Sequence, residues 1–415
     1  MKFLKKITRV IVLFVVGILI VVNAVIILTG RFYIYNGIAN TYIKGRTGPT
    51  IYDLETFHTV KVAKSGEAFE FPKHPNYNKQ KIPDDYRKYI EDLDTRALLV
   101  IQNDTLVYEE YWGDHSATTL SNSFSIAKTV VAILVGIAID EGKIGSIDDP
   151  VYKYIPEYKS GSRNKITIRH LLEMASGLSW TESGINPFSD NAESYYGTDL
   201  DNLVLRQKVV SEPGKVFKYQ GSNSILLSMI LEKATGKTVS KYASEKLWKK
   251  LGMNSDAYWS MDRKGGQEKS FCCLYAQAGD FAKIGKLLVH RGKYNGEQII
   301  PRWFYTQMVK QNDLVTEDGF QNYAYGYHVW TYRGNADEVV YCRGILGQYI
   351  ITIPDRNLVI IRLGMKRKPD FEIPKHLKND QQYVESVKYE VGHCLGVFQY
   401  ITLGKILAKE AEEFE

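Results

Sequence analysis

Ser123-Phe124-Ser125-Ile126-Ala127-Lys128 runs directly into Thr129-Val130-Val131-Ala132-Ile133-Leu134-Val135-Gly136-Ile137-Ala138-Ile139-Asp140-Glu141-Gly142. It is a Ser-x-x-Lys at the start of a helix that is apolar all round, and such a helix has to be buried. Three positions are close to one turn, so Lys128 lies on the same face as Ser125 and above it. A serine hydroxyl needs a neighbouring base to become a nucleophile, and a lysine is that base only where burial and the positive end of a helix favour its neutral form. Ser125 therefore reads as a nucleophile with Lys128 as its base; the other reading of Ser125 is a helix N-cap. Gly142 is the expected C-cap. A second Ser-x-x-Lys, Ser162-Arg163-Asn164-Lys165, sits in a charged, Gly-containing loop with no apolar run behind it, and is set aside.

Working outward, the chain of 415 residues is long enough for two domains of ordinary size, and 44% hydrophobic with 24% charged residues is a normal globular composition. Of the formal charge of +6, Lys2, Lys5, Lys6 and Arg9 supply four, so the remainder is nearly neutral and no nucleic-acid partner is expected. From Val10 to Leu28 there is no charged residue, a length that crosses a bilayer core. The basic residues before it exceed Arg31 after it, which predicts a cytoplasmic N-terminus and an exported remainder, periplasmic or extracellular. The rival reading is a cleaved signal peptide, against which the run is long and no small-x-small site follows. The expected organisation is an anchor over 1–30, a spacer partly packed on the domain over 31–94, and one domain over 95–415.

Ala97 to Gln102, Asn103-Asp104 and Thr105 to Trp112 read as a β-hairpin. From 143 to 260 helical spacing is commoner than alternation, including Ile166 to Leu178 and the helix Ile225 to Ala234 stopped by Gly236. Asp280 to His290 reads as a helix. Val339 to Gly344, Tyr349 to Ile353 and Leu358 to Leu363 read as strands, the last two joined by the turn Pro354-Asp355-Arg356-Asn357. Tyr383 to Tyr400 is expected as a last helix lying on the sheet. The fold class is α/β: an antiparallel sheet flanked by helices, with an inserted helical region.

These pieces, in this order, resemble the serine β-lactamase and penicillin-binding-protein superfamily over roughly residues 95 to 365. They are most similar to its class C β-lactamase-like hydrolases, which include esterases and 6-aminohexanoate-dimer hydrolases. The resemblance rests on Ser125-x-x-Lys128, His170-Leu171-Leu172 to Ser176-Gly177-Leu178, Pro213-Gly214 before Tyr219, Leu247-Trp248 to Leu251-Gly252-Met253, and Gly347-Gln348 before the paired strands. It implies a serine acyl hydrolase acting on a small-molecule ester or amide, with no cofactor and no metal. It also implies that Tyr219, which opens the family's second motif, shares proton transfer with Lys128; the alternative is a tyrosine packed at a helix start.

Two departures bear on substrate. The usual Tyr-Ser-Asn is Tyr219-Gln220-Gly221 here, so the side-chain amide is missing, and Asn223 falls two positions late. The 6-aminohexanoate-dimer hydrolase branch departs at the same place. The third motif aligns with Cys342-Arg343-Gly344, the expected substrate-binding strand, and lacks the cation at its first position. Arg343 leaves a strand on the opposite face from Cys342 and does not inherit its direction. Literal matches at Lys64-Ser65-Gly66, Lys159-Ser160-Gly161 and His290-Arg291-Gly292 stand in the wrong order or at a helix end, and read as loop or cap residues. What the family pattern leaves intact is backbone: Gly344 admits a close substrate, and the N–H groups of Ser125 and Ile345 would form the oxyanion hole.

Gly-x-Ser-x-Gly is absent, which removes an α/β-hydrolase, and the eight histidines show no His-Glu-x-x-His. Cys272, Cys273, Cys342 and Cys394 have no metal-site spacing and read as buried free thiols. The competing expectation is a non-catalytic or slowly acylating cell-wall or β-lactam-binding module of the same fold.

Overall fold

The computed structural model describes residues 2–412 apart from Ser65, Asn335 and Ala336, so the middle of Lys64-Ser65-Gly66 lies outside the described residues. The strands used below are β1 (Thr59–Val62), β2 (Thr95–Gln102), β3 (Thr105–Tyr111), β4 (Ser121–Asn122), β5 (Ala257–Ser260), β6 (Leu274–Ala276), β7 (Trp330–Tyr332), β8 (Val339–Gly344), β9 (Gln348–Ile353) and β10 (Leu358–Gly364). The helices are α1 (Lys2–Thr29), α2 (Tyr33–Asn40), α3 (Ile126–Asp140), α4 (Ile168–Leu172), α5 (Gly221–Thr235), α6 (Ala278–Val289) and α7 (Val397–Glu412).

Among the described residues β7-β8-β9-β10-β2-β3 form an antiparallel six-stranded sheet, and β1-β5-β6-β4 a smaller one. The hairpin turn is where Asn103-Asp104 predicts it: both residues have positive φ, 50° and 60°, the conformation a two-residue hairpin loop needs. The sheet is buried on both faces. Val340, Cys342, Ile350, Val359 and Ile361 join the core containing α3 and α6, while Tyr341, Tyr349, Ile351 and Ile360 face the layer of α7. Residues alternate between the two because successive side chains leave a strand on opposite sides.

Helix α3 is buried from Ile126 to Ala138, as an apolar helix without a polar face requires. Burying each of its Val, Ile and Leu side chains stabilises the fold by roughly 1.5–3 kcal/mol. It packs on α5 and against β8 and β9, so the Ser-x-x-Lys is fixed at the junction of the helical region and the sheet.

Three expectations are corrected. The stretch read as a spacer contains a helix at Asp84–Asp92 and also β1, which pairs with β5 from Thr59↔Ser260 to Val62↔Ala257. A four-residue edge strand carries too little alternation to be seen in a polar, Pro-punctuated segment. The last helix is two helices, Gln381–Val387 and α7. The chain between them leaves the helical path because Gly392, His393 and Leu395 exchange backbone hydrogen bonds with Pro369 and Phe371. Cys272 and Cys273 are bonded to each other, while Cys342 and Cys394 are free and buried.

Helix α1 is long and apolar enough to cross a membrane, a property that a signal sequence shares, and its apolar side chains are almost all exposed.

Candidate active site

Ser125 occupies the position before α3, but its hydroxyl makes no capping hydrogen bond. The hydroxyl lies instead 3.0 Å from Lys128 Nζ, which also donates to the Phe271 carbonyl at 2.7 Å. Both partners are uncharged oxygens, and the Lys128 side chain is buried. The turn that lifts Ser125 into place is strained: Phe124 has φ 45°, unfavourable for an aromatic residue. It is held there by the Asn122 side chain, which accepts from the Phe124 N–H at 2.9 Å, and by the Ser123 hydroxyl on the Phe124 carbonyl. Ser162 and Lys165 belong to an exposed 3₁₀ turn remote from any such helix.

Tyr219 precedes α5, and its ring centroid is 5.0 Å from Lys128 Nζ. Behind it stand Tyr325 and Trp330, with ring centroids 5.9 Å and 6.0 Å away. The structure thus brings Ser125, Lys128 and Tyr219 together from residues ninety-four positions apart in the chain.

A strut behind Lys128 escaped the sequence reading. His328 is fully buried between the carbonyls of Lys128, 3.1 Å from Nδ1, and Leu171, 3.2 Å from Nε2. Burial pushes its imidazole down to about 4, so the ring is neutral. A neutral imidazole has one N–H, which serves one carbonyl; the Ser224 hydroxyl, 3.4 Å from Nδ1, supplies the other nitrogen. The Thr129 hydroxyl donates to the His328 carbonyl at 2.6 Å. A lone histidine two hundred residues downstream carries no local signal of this role.

The missing amide of the second motif is not replaced. Gln220 turns inward to the Leu178 and Trp180 carbonyls, and Asn223 accepts from the Ser176 hydroxyl at 2.6 Å. At Gly221 an added Cβ would stand 3.2 Å from the Trp180 ring and 3.5 Å from Phe271. Glu182 closes the same corner, its Oε2 accepting from the Gly221 N–H at 2.9 Å and from Trp180 Nε1 at 2.7 Å. Glu182 lies in an irregular loop, where sequence pattern gives no position.

The expected substrate strand is corrected in part. The Cys342 side chain is buried in the core that holds α3, where burial pushes its thiol up to about 12. Arg343 leaves on the other side, as alternation requires. Its guanidinium stacks 3.7 Å from the Trp330 ring centroid, donates to both Asp370 oxygens at 3.0 Å and 3.3 Å, and bonds the Gly392 carbonyl. The break before α7 sets Gly392 against Phe371, next to Asp370, so the same pairing that ends the helix ties up this cation.

Gly344 is where the strand meets the nucleophile's turn. A Cβ there would lie 2.4 Å from the Ser123 carbonyl oxygen and 3.1 Å from Phe124 Cβ. Only a residue without a side chain lets the Gly344-Ile345 peptide come this close. Neither the Ser125 N–H nor the Ile345 N–H is consumed by a turn or loop hydrogen bond among the described residues.

Over residues 87–384 the sequence matches the family model described as Beta-lactamase. It is 24% identical over 303 residues to the 6-aminohexanoate-dimer hydrolase of Paenarthrobacter ureafaciens, spanning 69% of this chain and 76% of that protein. Among solved structures, a 6-aminohexanoate-dimer hydrolase homologue from Bacillus anthracis superposes with a TM-score of 0.69 at 21% identity, covering 86% of this chain and 94% of that one. A penicillin-binding protein homologue from Pyrococcus abyssi gives 0.53 at 19% identity, covering 74% and 77%. At these identities the structural likeness speaks for the fold.

Proposed function

This chain belongs to the beta-lactamase family, a family with a serine-hydrolase fold, and from that premise we propose that it is a membrane-anchored serine acyl hydrolase cleaving neutral esters or amides. The observation that carries the reading is Lys128 Nζ at 3.0 Å from Ser125 Oγ, with Tyr219 beside the amine. Lys128, acting as the base, takes the hydroxyl proton as Oγ bonds to the substrate carbonyl carbon. The resulting oxyanion is met by the N–H groups of Ser125 and Ile345. Collapse breaks the bond to the alcohol or amine, which leaves with a proton relayed from Lys128 through Tyr219. Water, deprotonated by the same pair, then bonds to the acyl carbon, and collapse breaks the bond to Ser125 Oγ, which takes that proton back from Lys128 as the acid leaves.

Substrate charge follows from the third motif. A carboxylate on the substrate would gain about 1.5–3 kcal/mol from a free cation there, or roughly 10- to 150-fold in affinity. Cys342 offers none, and the Arg343 guanidinium is held against the Trp330 ring and on Asp370, a carboxylate it shares with Arg367. A short-chain p-nitrophenyl ester should therefore be turned over with a higher kcat/KM than a chromogenic cephalosporin, and Arg343→Ala should leave that ratio unchanged. A cephalosporin preference abolished by Arg343→Ala would overturn this assignment. The 6-aminohexanoate-dimer hydrolase among the relatives supports amide substrates as a class to test.

The anchor is α1, with the hydrolase domain outside the cytoplasm because the basic residues precede the apolar run. Protease added to cells stripped of any outer membrane should remove the domain; protection until the inner membrane is lysed would reverse the topology.

A further inference from the structure

The domain does not hang from α1 on a free leash. Ile26, in the last turn of α1, is 1% exposed, covered although its helical neighbours are bare. Immediately after the helix, Arg31 donates to the Phe188 carbonyl at 2.8 Å with its guanidinium over the Phe188 ring. Tyr33 donates to the Pro187 carbonyl at 3.0 Å, and Asn36 to the Tyr196 carbonyl at 3.1 Å. These bonds clamp the 181–196 segment to the point where the helix ends.

Helix α2 is placed in depth as well as in plane. The Tyr35 hydroxyl donates to Asn23 Oδ1 at 2.6 Å. Asn23 lies six residues before Thr29, about 9 Å along the helix at 1.5 Å per residue. Tyr35 therefore reaches back beside the apolar run and satisfies its one side-chain amide, as an interfacial tyrosine does with a polar tip and an apolar body. On the same side as Tyr35, one turn on, is Ile38, 39% exposed, followed by Tyr42, 67% exposed. Across the clamp, Ile185 is 96% exposed and Phe188 48%. Phe32, 56% exposed, follows Arg31 directly in the chain. Scattered apolar residues on a surface need no explanation, but a group of aromatic and aliphatic side chains gathered around the exit of one apolar helix does.

The same loop reaches the catalytic cleft. Glu182, three residues before Ile185, holds the Gly221 N–H at the start of α5, and Gly221 stands against Phe271, whose carbonyl binds Lys128. The wall of the cleft and the exposed apolar tip are thus one short loop.

Building on the proposed anchored hydrolase, we propose that the 183–188 loop and the outer face of α2 rest in the surface of the bilayer that α1 enters. The Ser125 cleft then takes an amphiphilic ester or amide whose hydrocarbon chain stays in that bilayer. The occupant of the apolar surface is lipid because the surface is continuous with the helix and its depth is set by the Tyr35 to Asn23 bond.

The test uses the full chain in phosphatidylcholine–phosphatidylglycerol vesicles. Ile185→Cys, labelled with an environment-sensitive fluorophore, should emit to the blue of its position in water and be quenched by nitroxides on the upper acyl chain. Emission quenched by aqueous iodide and not by lipid nitroxides would overturn the docking. Shielding from both quenchers would mean a second copy or another protein on this face, and would overturn it too. In parallel, the double variant Ile185→Glu/Phe188→Glu should lose at least tenfold in kcat/KM on a decanoyl ester held in the vesicles and nothing on a water-soluble acetyl ester. Equal loss on both esters, or no loss on either, would reject the amphiphilic substrate. Lipid quenching of the label in a protein inert toward both esters would leave the docking standing and remove the hydrolase reading instead.

Discussion

Ser125→Ala should reduce hydrolysis of p-nitrophenyl acetate by roughly 10⁴-fold or more, to the background rate, while leaving the protein folded. That loss corresponds to about 5.5 kcal/mol of transition-state stabilisation. The same substitution should change unfolding stability by less than about 0.5 kcal/mol, because the hydroxyl caps nothing and its one side-chain hydrogen bond among the described residues is to Lys128. An N-cap role would give the opposite pattern, about 1 kcal/mol of stability and unchanged turnover. Lys128→Ala and Tyr219→Phe should each lower kcat/KM by ~10² or more, the usual contribution of a proton-transfer group. A fluorophosphonate should add one adduct mass at Ser125 in the wild-type chain and none in Ser125→Ala. Turnover surviving in Ser125→Ala would end the assignment of the nucleophile. Stoichiometric acylation without turnover would favour a slowly acylating binding module instead, the reading that the altered second and third motifs leave open.

The parts legible in the sequence are those where one local pattern dictates one structure. An apolar run without a polar face had to become the buried α3, and two alternating runs around Asn103-Asp104 had to become a hairpin. Alternation along β8 also settled that Arg343 and Cys342 diverge. What stayed hidden depends on distant partners. His328 sits between carbonyls two hundred and one hundred and fifty-seven residues away, one of which takes its single N–H, and Glu182 acts through the N–H of Gly221. The fate of Arg343 was legible only as a direction: its partner Asp370 and the bend that sets Gly392 beside it are products of tertiary pairing. Cys272 and Cys273 show the same limit, since adjacency in sequence carries no sign of whether two thiols are joined.

Gly344→Ala should be the most damaging single methyl group in the molecule for catalysis. Its Cβ would meet the Ser123 carbonyl oxygen at 2.4 Å, well inside contact distance, and that atom is backbone that cannot rotate away. Either the end of β8 or the Phe124 turn has to yield. The turn is already strained at Phe124 and tied down by Asn122, and it leads straight into the fully buried first residues of α3. The strand end is the softer side, because β8 pairs with β7 from Val339 to Tyr341 and leaves Cys342, Arg343 and Gly344 paired with β9 alone. Yielding there carries the Ile345 N–H away from the oxyanion while Ser125, Lys128 and Tyr219 stay in place. Removing one oxyanion donor costs roughly 10²–10³ in kcat. KM should change little by comparison, since the ground-state carbonyl makes weaker use of the donor than the tetrahedral intermediate. Overpacking of this kind also costs about 1–3 kcal/mol of stability, so kcat is to be measured well below the melting transition and compared with Arg343→Ala, which loses the Asp370 pair one residue away without moving the peptide. Full kcat in Gly344→Ala, or equal kcat losses in the two variants, would show that the Ile345 N–H is not a donor in this site.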